Sequence, residues 1–430
     1  MFRRSLTNAQ SYSFDASVTR QRPGLLLSVN GNLYAGFGSF CDLGPNNLPR
    51  GWLLGWRLKN GALTPIGARL NNHDATSTND FFLSSIWMSG FGIAEDGSAN
   101  LYFATGNSDP SGTSYNVDHN LSESVIEESP DLTTTESFFT PYGYDGLRYL
   151  EAKDQDMASG GVLLTPDGYV VAAGKVGLMY LLHQGNLGGH ANGNYLARRS
   201  IGICLCGELY YNDGTGHIVS SGGNERIEVW SEPSFQLQSS SRPLNGEAGF
   251  FTTVSSNGSQ NAIIWAVDRP AQGNGEVTLY AYDPAMRKIV FSAAAGTWPG
   301  GDAHPNLVPV VANGHVYVAS YQQLTIWGLP AAAAAPSRIV KLSHPALKNP
   351  VQLQPGEHDI FGTITAMSGT TITIKKRDGT AVSVNTANAT TGPLMTGEAV
   401  QAVGKGTNTG LDAKWVARAQ GVPNAWFPDR

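Results

Sequence analysis

The chain has 430 residues, a formal net charge of −6 and only 14% charged residues, with 51 glycines and 23 prolines. That length accommodates a large core and two domains, while no run of like charge exceeds Lys375-Lys376-Arg377, so nothing points to a nucleic-acid or anionic-membrane partner. Glycine, proline and small polar residues in this proportion suit short strands and tight turns rather than helical bundles, and no apolar stretch is long enough for a transmembrane helix.

The opening "MFRRSLTNAQSYSFDASVTRQRPG" is basic and holds no apolar run of signal-peptide length. It reads as the tail of a structural repeat, and the expectation is a chain trimmed at its start. A recurring phrase follows: an Asn-Gly or Asp-Gly turn, an alternating apolar strand, a small-residue pause and a second strand. It is found in "SVNGNLYAGFGS", "AEDGSANLYFATGNS", "TPDGYVVAAGKVGLMYLL", "NDGTGHIVSSGGNERIEVW" and "VVANGHVYVASYQQLTIWGL", and in longer form in "SSNGSQNAIIWAVD" with "VTLYAYDPAMRKIVFSA". Each copy predicts a hairpin of half-buried antiparallel strands. The copies lie roughly 40 to 70 residues apart, with loops inserted at 107–120 and 136–150, a period that indicates a repeat architecture. An all-β propeller of about six four-stranded blades over residues 1–330 is the expected fold, because ring closure leaves only short, protected edges. A pair of β-sandwiches, the alternative, does not call for the same hairpin so many times.

Residues 331–338, inside "GLPAAAAAPSRIV", have linker composition. Residues 339–430 then read as five short strands with glycine-centred turns, the pattern of a small OB-like barrel. Between Phe361 and Trp415 that segment has no aromatic residue. Stacking of nucleic-acid bases on its sheet is therefore not expected, and packing or docking is the preferred role.

"VTLYAYDPAMRKIVFSA", "HPNLVPVVANGHVYVASYQQLTIWGL" and "GGVLLTPDGYVVAAGKVGLMYLLHQGNLG" resemble repeats of the quinoprotein-like propellers, those of pyrroloquinoline-quinone type, over residues 14 to 330. The resemblance implies a ring of seven or eight blades, against the six visible here, and a bacterial protein, periplasmic or secreted. The quinone-dependent dehydrogenases among these propellers carry adjacent cysteines over the cofactor, and here Cys41, Cys204 and Cys206 are nowhere adjacent. Neither their calcium constellation nor a haem-attachment motif can be placed, so the expectation is a propeller without quinone.

"EAKDQDMASGGVLLTPDG" sets Asp154 and Asp156 one residue apart. In an extended chain both carboxylates share a face, which is costly unless a cation, a proton or donors offset the charge. Polar residues just upstream of the inner strands converge on the channel of a propeller. On that reading the channel mouth gathers Arg20, Arg22, Trp87, Ser89, Asp154, Asp156, Glu247, Asp302, His304 and Asn306. Three roles stay open. The aspartates pair with Arg20, Arg22 and backbone N–H groups; or Asp154, Asp156, Glu247 and Asn306 hold Ca²⁺, with His304 as base in a hydrolase of esters, lactones or phosphotriesters; or the mouth binds a cofactor, small molecule or glycan against Trp87, with Ser89 and Asp302. A ligand-binding or scaffold role is the preferred function, the calcium hydrolase with Asp154, His304, Arg20 and Arg22 as its catalytic groups is the first alternative, and a quinone-dependent oxidoreductase relic is the second.

Weaker signals are His73-Asp74, an acid–base pair or a loop cap, and Cys204-Leu-Cys206, a redox or soft-metal pair or, by preference, two small hydrophobes alternating along a strand.

Overall fold

The computed structural model describes residues 2–39, 50–77, 81–111, 114–142, 147–244, 248–268, 275–299, 306–328, 356–376, 380–391, 394–397, 399–407 and 409–418. The chain divides into two compact units, Met1–Leu342 and Ser343–Arg430. The expected linker at 331–338 lies outside the described residues.

The first unit is a β-propeller. A hairpin of β1 (Arg3–Ser5) and β2 (Ser11–Ser13) precedes the first blade, which consists of β3 (Thr19–Gln21), β4 (Leu26–Leu27), β5 (Asn32–Ser39), β6 (Trp52–Lys59) and β7 (Ala62–Leu70). The second blade is β8 (Ala94–Glu95), β9 (Leu101–Ala104), β10 (Val125–Glu128) and β11 (Thr135–Phe139), followed by the short helix α1 (Leu147–Lys153). The third is β12 (Val162–Leu164), β13 (Tyr169–Ala173), β14 (Leu178–His183) and β15 (Ala197–Ser200). The fourth is β16 (Leu209–Asn212), β17 (Gly216–Ser220), β18 (Glu228–Ser231) and β19 (Leu237–Ser240). The fifth is β20 (Phe251–Asn257), β21 (Gln260–Val267), β22 (Gly275–Asp283) and β23 (Lys288–Trp298). Among the described residues the sixth has three strands, β24 (Val310–Ala312), β25 (His315–Ser320) and β26 (Gln323–Gly328). Every pairing within the blades is antiparallel, and apart from β3 with β5 each joins strands consecutive in the chain, so each quoted phrase is a hairpin, as its turn residues require.

Side chains alternate across each sheet, and both faces are used. In β13, Val170 and Ala172 join the core shared with the first two blades, whereas Val171 and Ala173 face the fourth. In β17, Ile218 packs back on the third blade and Val219 forward on the fifth. Val267, Leu279 and Ala295 then meet Val316 and Val318 of the sixth. Strands buried on both faces therefore read as near-continuous apolar runs, each large side chain contributing about 1.5–3 kcal/mol of burial. The β1–β2 hairpin covers the outer part of the first blade, with Tyr12 stacked 5.9 Å from Trp52.

The second unit is a closed five-stranded barrel. Its strands are β27 (Glu357–Ser368), β28 (Thr371–Lys375), β29 (Ala381–Asn385), β31 (Ala399–Gly406) and β32 (Gly410–Arg418), with the two-residue β30 (Thr390–Thr391) paired beside β32 outside the ring. β27 pairs with both β28 and β31, and a parallel pairing of β29 with β32 closes the ring. The core alternates along the strands: Ile372 and Ile374, Val382 and Val384, Leu411 and Ala413.

Candidate functional site

The stretch around Asp154 is not extended. Helix α1 ends at Lys153, Asp154 turns the chain in the left-handed region (φ 52°), and a 3-10 turn follows at Met157–Ser159. The two carboxylates nonetheless converge, because Lys175 reaches both. Its Nζ lies 3.1 Å from Asp154 Oδ2 and 2.5 Å from Asp156 Oδ2. Lys175 sits in the Gly174–Gly177 turn between β13 and β14, and its backbone N–H also donates to the Asp156 carbonyl at 3.1 Å. The cation facing the pair is therefore this lysine. Asp154 stands in solvent with 65% of its side chain exposed, whereas Asp156 keeps 4%.

The buried aspartate belongs to an acidic cluster. Asp156 Oδ1 accepts the Asn107 N–H at 3.0 Å. Glu123, fully buried and held at φ 49°, accepts the Met157 N–H at 2.7 Å. Glu151 of α1 accepts the Ser108 N–H at 2.6 Å and the Ser122 hydroxyl. Burial first, then the charge of Asp156 and Glu151, pushes Glu123 well above the usual carboxyl range. Burial, reinforced by Asp109 and Asp156, pushes Glu151 up to about 8. Burial works against the Lys175 ammonium, but the two aspartates outweigh it and hold it above its ordinary value. Near neutral pH Glu151 therefore favours its protonated form, burial shifts Glu123 the same way, and the two aspartates favour the charged form of Lys175.

Trp87 borders this cluster. A Cβ on Gly106 would sit 2.2 Å from Asp156 Oδ1 and 2.9 Å from Trp87 Cδ1, so only glycine lets the loop after β9 pass between them. The Arg22 guanidinium lies over the Trp87 ring, 4.9 Å from its centroid, a cation–π contact. Ser89 is half-buried and its hydroxyl is 3.4 Å from the Trp87 carbonyl. Arg20, half-buried, lies opposite Gly38 in the β3–β5 pairing, and Asn306 is exposed ahead of β24. Glu247, Asp302 and His304 lie outside the described residues.

Phe91 fills the space between the inner strands. A Cβ on Gly207 would fall 1.6 Å from its Cε2, and one on Gly161 2.1 Å from its Cδ1. The ring also meets Phe251 at 6.3 Å, and the Phe91 carbonyl accepts the Gly24 N–H at 2.6 Å. Gly161 and Gly207, ahead of the third and fourth blades, and Phe251 at the start of the fifth thus meet the Phe91 ring, while Gly24 of the first blade meets its backbone carbonyl.

A second polar feature lies off this centre. A cavity of about 260 Å³ between the first two blades is lined by Arg4, Arg69, His73, Asp118, His119 and Thr133, among others. His73 and Asp74 are not paired with each other. Asp74 Oδ1 lies 2.5 Å from His119 Nδ1, and the His73 ring is 2.7 Å from the Ser5 carbonyl, with burial lowering its basicity.

Sequence reasoning missed Glu123, Glu151 and Lys175. Lys175 carried one usable signal, a lone cation between two glycines inside an otherwise apolar hairpin; Glu123 and Glu151 carried none. The cysteines differ from expectation as well. Residues 201–208 form a loop rather than a strand, and Cys204 and Cys206 are joined in a buried disulfide.

Sequential antiparallel blades with a separate closed barrel define an all-β propeller protein. No protein-family model matches the chain, and no curated relative aligns with it significantly. Among solved structures it is similar to BamB from Moraxella catarrhalis at 11% identity, covering 87% of both chains with a TM-score of 0.44. It is also similar to the dihydro-heme d1 dehydrogenase NirN solved in complex with DHE, at 12% identity over 88% of this chain and 66% of that one, TM-score 0.44. A chain of a mitotic checkpoint complex is similar at 10% identity over 73% and 79%, TM-score 0.42. Among the described residues no helix is long and apolar enough to cross a membrane.

Proposed function

We propose that this chain is a ligand-binding or scaffold propeller of quinoprotein-like repeat that works without a quinone. The observation that carries the reading is internal compensation in the acidic cluster ahead of the third blade. Asp156 is matched by Lys175 and the Asn107 N–H, Glu151 by the Ser108 N–H and Ser122 hydroxyl, and Phe91 occupies the space between the inner strands. Such groups fix loops in place, and a small cleft of about 260 Å³ beside Arg69, His73 and His119 offers donors and acceptors suited to a small polar molecule such as a sugar. The adjacent-cysteine disulfide of the quinone dehydrogenases has no counterpart, since Leu205 separates Cys204 from Cys206. A periplasmic or secreted location agrees with that disulfide. The hairpin "VTLYAYDPAMRKIVFSA", formed by β22 and β23, supports the quinoprotein-like repeat. The parallel pairing of the third and last strands of the barrel supports an OB-type assignment.

The first alternative remains the calcium-assisted hydrolase. A cation between Asp154 and Asp156 would occupy the place of Lys175 Nζ, so these two residues as arranged do not fit Ca²⁺ between them. Elemental analysis, a visible spectrum and a panel of chromogenic esters, phosphotriesters and glycosides separate the readings. The binding role predicts no retained calcium, no quinone absorbance and no turnover, together with a melting temperature raised by small polar ligands in wild type and not in His119→Ala. Calcium with turnover establishes the hydrolase, and quinone absorbance the oxidoreductase.

A further inference from the structure

The loop 201–208 holds a group that the acidic cluster does not use. Cys204 and Cys206 are wholly buried, and Glu208, two residues on, is 2% exposed. The three ligand atoms lie within 4.8 Å of one another. Cys204 Sγ is 3.6 Å from Glu208 Oε1, and Glu208 Oε2 has no hydrogen-bond partner. A buried carboxylate is expensive unless something positive or a donor meets it. Burial is what lifts this one, to about 7, its own backbone N–H offsetting only part of the effect. Two sulfurs and a buried carboxylate, one oxygen of it beside Cys204 Sγ and the other without a partner, form in this loop a donor set for a borderline-soft divalent cation.

We infer that Cys204, Cys206 and Glu208 form a redox-gated site for a Zn²⁺-like ion, open when the two cysteines are reduced and closed by their disulfide. The spacing fits. Zn–S bonds of about 2.3 Å and Zn–O bonds of about 2.1 Å at a tetrahedral angle place sulfur and oxygen about 3.6 Å apart, which is the Cys204–Glu208 separation already present. Breaking the disulfide lets the sulfurs part to the roughly 3.8 Å that two thiolates on one zinc require. The fourth position is left to water or an added ligand.

The chemistry balances as follows. A dithiol reductant gives two electrons and two protons to the Cys204–Cys206 bond, leaving two thiols, and itself becomes a disulfide. Metal binding then releases the two thiol protons, and the Glu208 proton where it is present, and forms two metal–sulfur bonds and one metal–oxygen bond. Oxidation by a disulfide reverses the sequence: the sulfurs rejoin, the metal leaves, and the oxidant takes the two electrons with two protons from water to become a dithiol. Metal and oxidant thus compete for the same sulfurs.

The test uses the full chain with Cys41→Ser, so that only this pair of thiols remains. Protein reduced with excess dithiol and gel-filtered without oxygen is titrated with Co²⁺ and then Zn²⁺, its fold followed by circular dichroism. One Co²⁺ per chain with a thiolate-to-cobalt charge-transfer band is expected, displaced by Zn²⁺ and absent from the oxidised protein. Cys206→Ser should abolish the band. Glu208→Gln should keep thiolate binding but lower affinity by more than about tenfold, since even outer-shell changes reach that range. A reduced, folded protein without the band overturns the inference, as does unfolding on reduction. Affinity unchanged by Glu208→Gln removes the carboxylate from the site and overturns it equally.

Discussion

Replacing Lys175 by Met removes the ammonium and keeps most of the apolar stem. Asp156 is then left 4% exposed, with one oxygen on the Asn107 N–H and the other facing a thioether, beside Glu123 and Glu151. Stripping one partner from a buried ion pair costs about 3–5 kcal/mol, because the remaining charge is uncompensated. Lys175 is itself 25% exposed, so water relieves part of this and the lower end, about 3 kcal/mol, is expected. Asp156→Asn leaves the lysine with only the exposed Asp154 and should cost about 2 kcal/mol. Asp154→Asn touches a partner that is 65% exposed, and such pairs contribute about 0–1 kcal/mol. In the double variant Lys175→Met/Asp156→Asn the losses should not add, because removing both charges leaves no buried ion. A coupling of at least about 1.5 kcal/mol is the expected signature. Urea denaturation of wild type and the four variants, read by circular dichroism, measures it. Additive losses, or an Asp154→Asn as damaging as Asp156→Asn, would refute the assignment of Lys175 as the counter-charge.

Three further outcomes follow from the same geometry. Glu151 titrates near 4.5 when unfolded and near 8 when folded, so the native state retains a proton that the unfolded chain has lost. Its contribution is complete below about 4.5 and is lost as pH rises through about 8, on the order of a few kcal/mol at about 1.4 kcal/mol per unit; Glu151→Gln should flatten the fall of stability across that window. Gly207→Ala puts a methyl on the Phe91 ring and should destabilise by about 1–3 kcal/mol, with Phe91→Leu in the same chain recovering part of the loss. Expressed separately, Met1–Leu342 and Ser343–Arg430 should each give cooperative melting, since each has its own core; aggregation of the larger fragment alone would contradict this.

Much of the architecture was legible because it is written locally. Asn30-Gly31 supplies the positive φ its hairpin turn needs (Gly31 φ 81°), and the runs after it alternate with the period of a strand, so hairpins could be read phrase by phrase. The site was less legible, because its members meet only through blade packing. Glu123, Glu151, Asp156 and Lys175 come from three loops and a helix end, and nothing in their local sequence encodes the approach. The helix before Asp154 also defeated the parity argument, since a chain turning at φ 52° has no strand alternation. Cys204 and Cys206 read as strand residues because alternation with Leu205 mimics period two, whereas the glycine-rich stretch 201–208 follows a loop.

The most direct test of the account is a calorimetric titration of Ca²⁺ into chelator-treated protein near neutral pH, paired with a thermal melt in each state. If Lys175 is the cation that Asp154 and Asp156 share, no binding heat appears and the melting temperature is the same with calcium, without it and after chelation. Stoichiometric Ca²⁺ binding that raises the melting temperature and is lost in Asp156→Asn would contradict it.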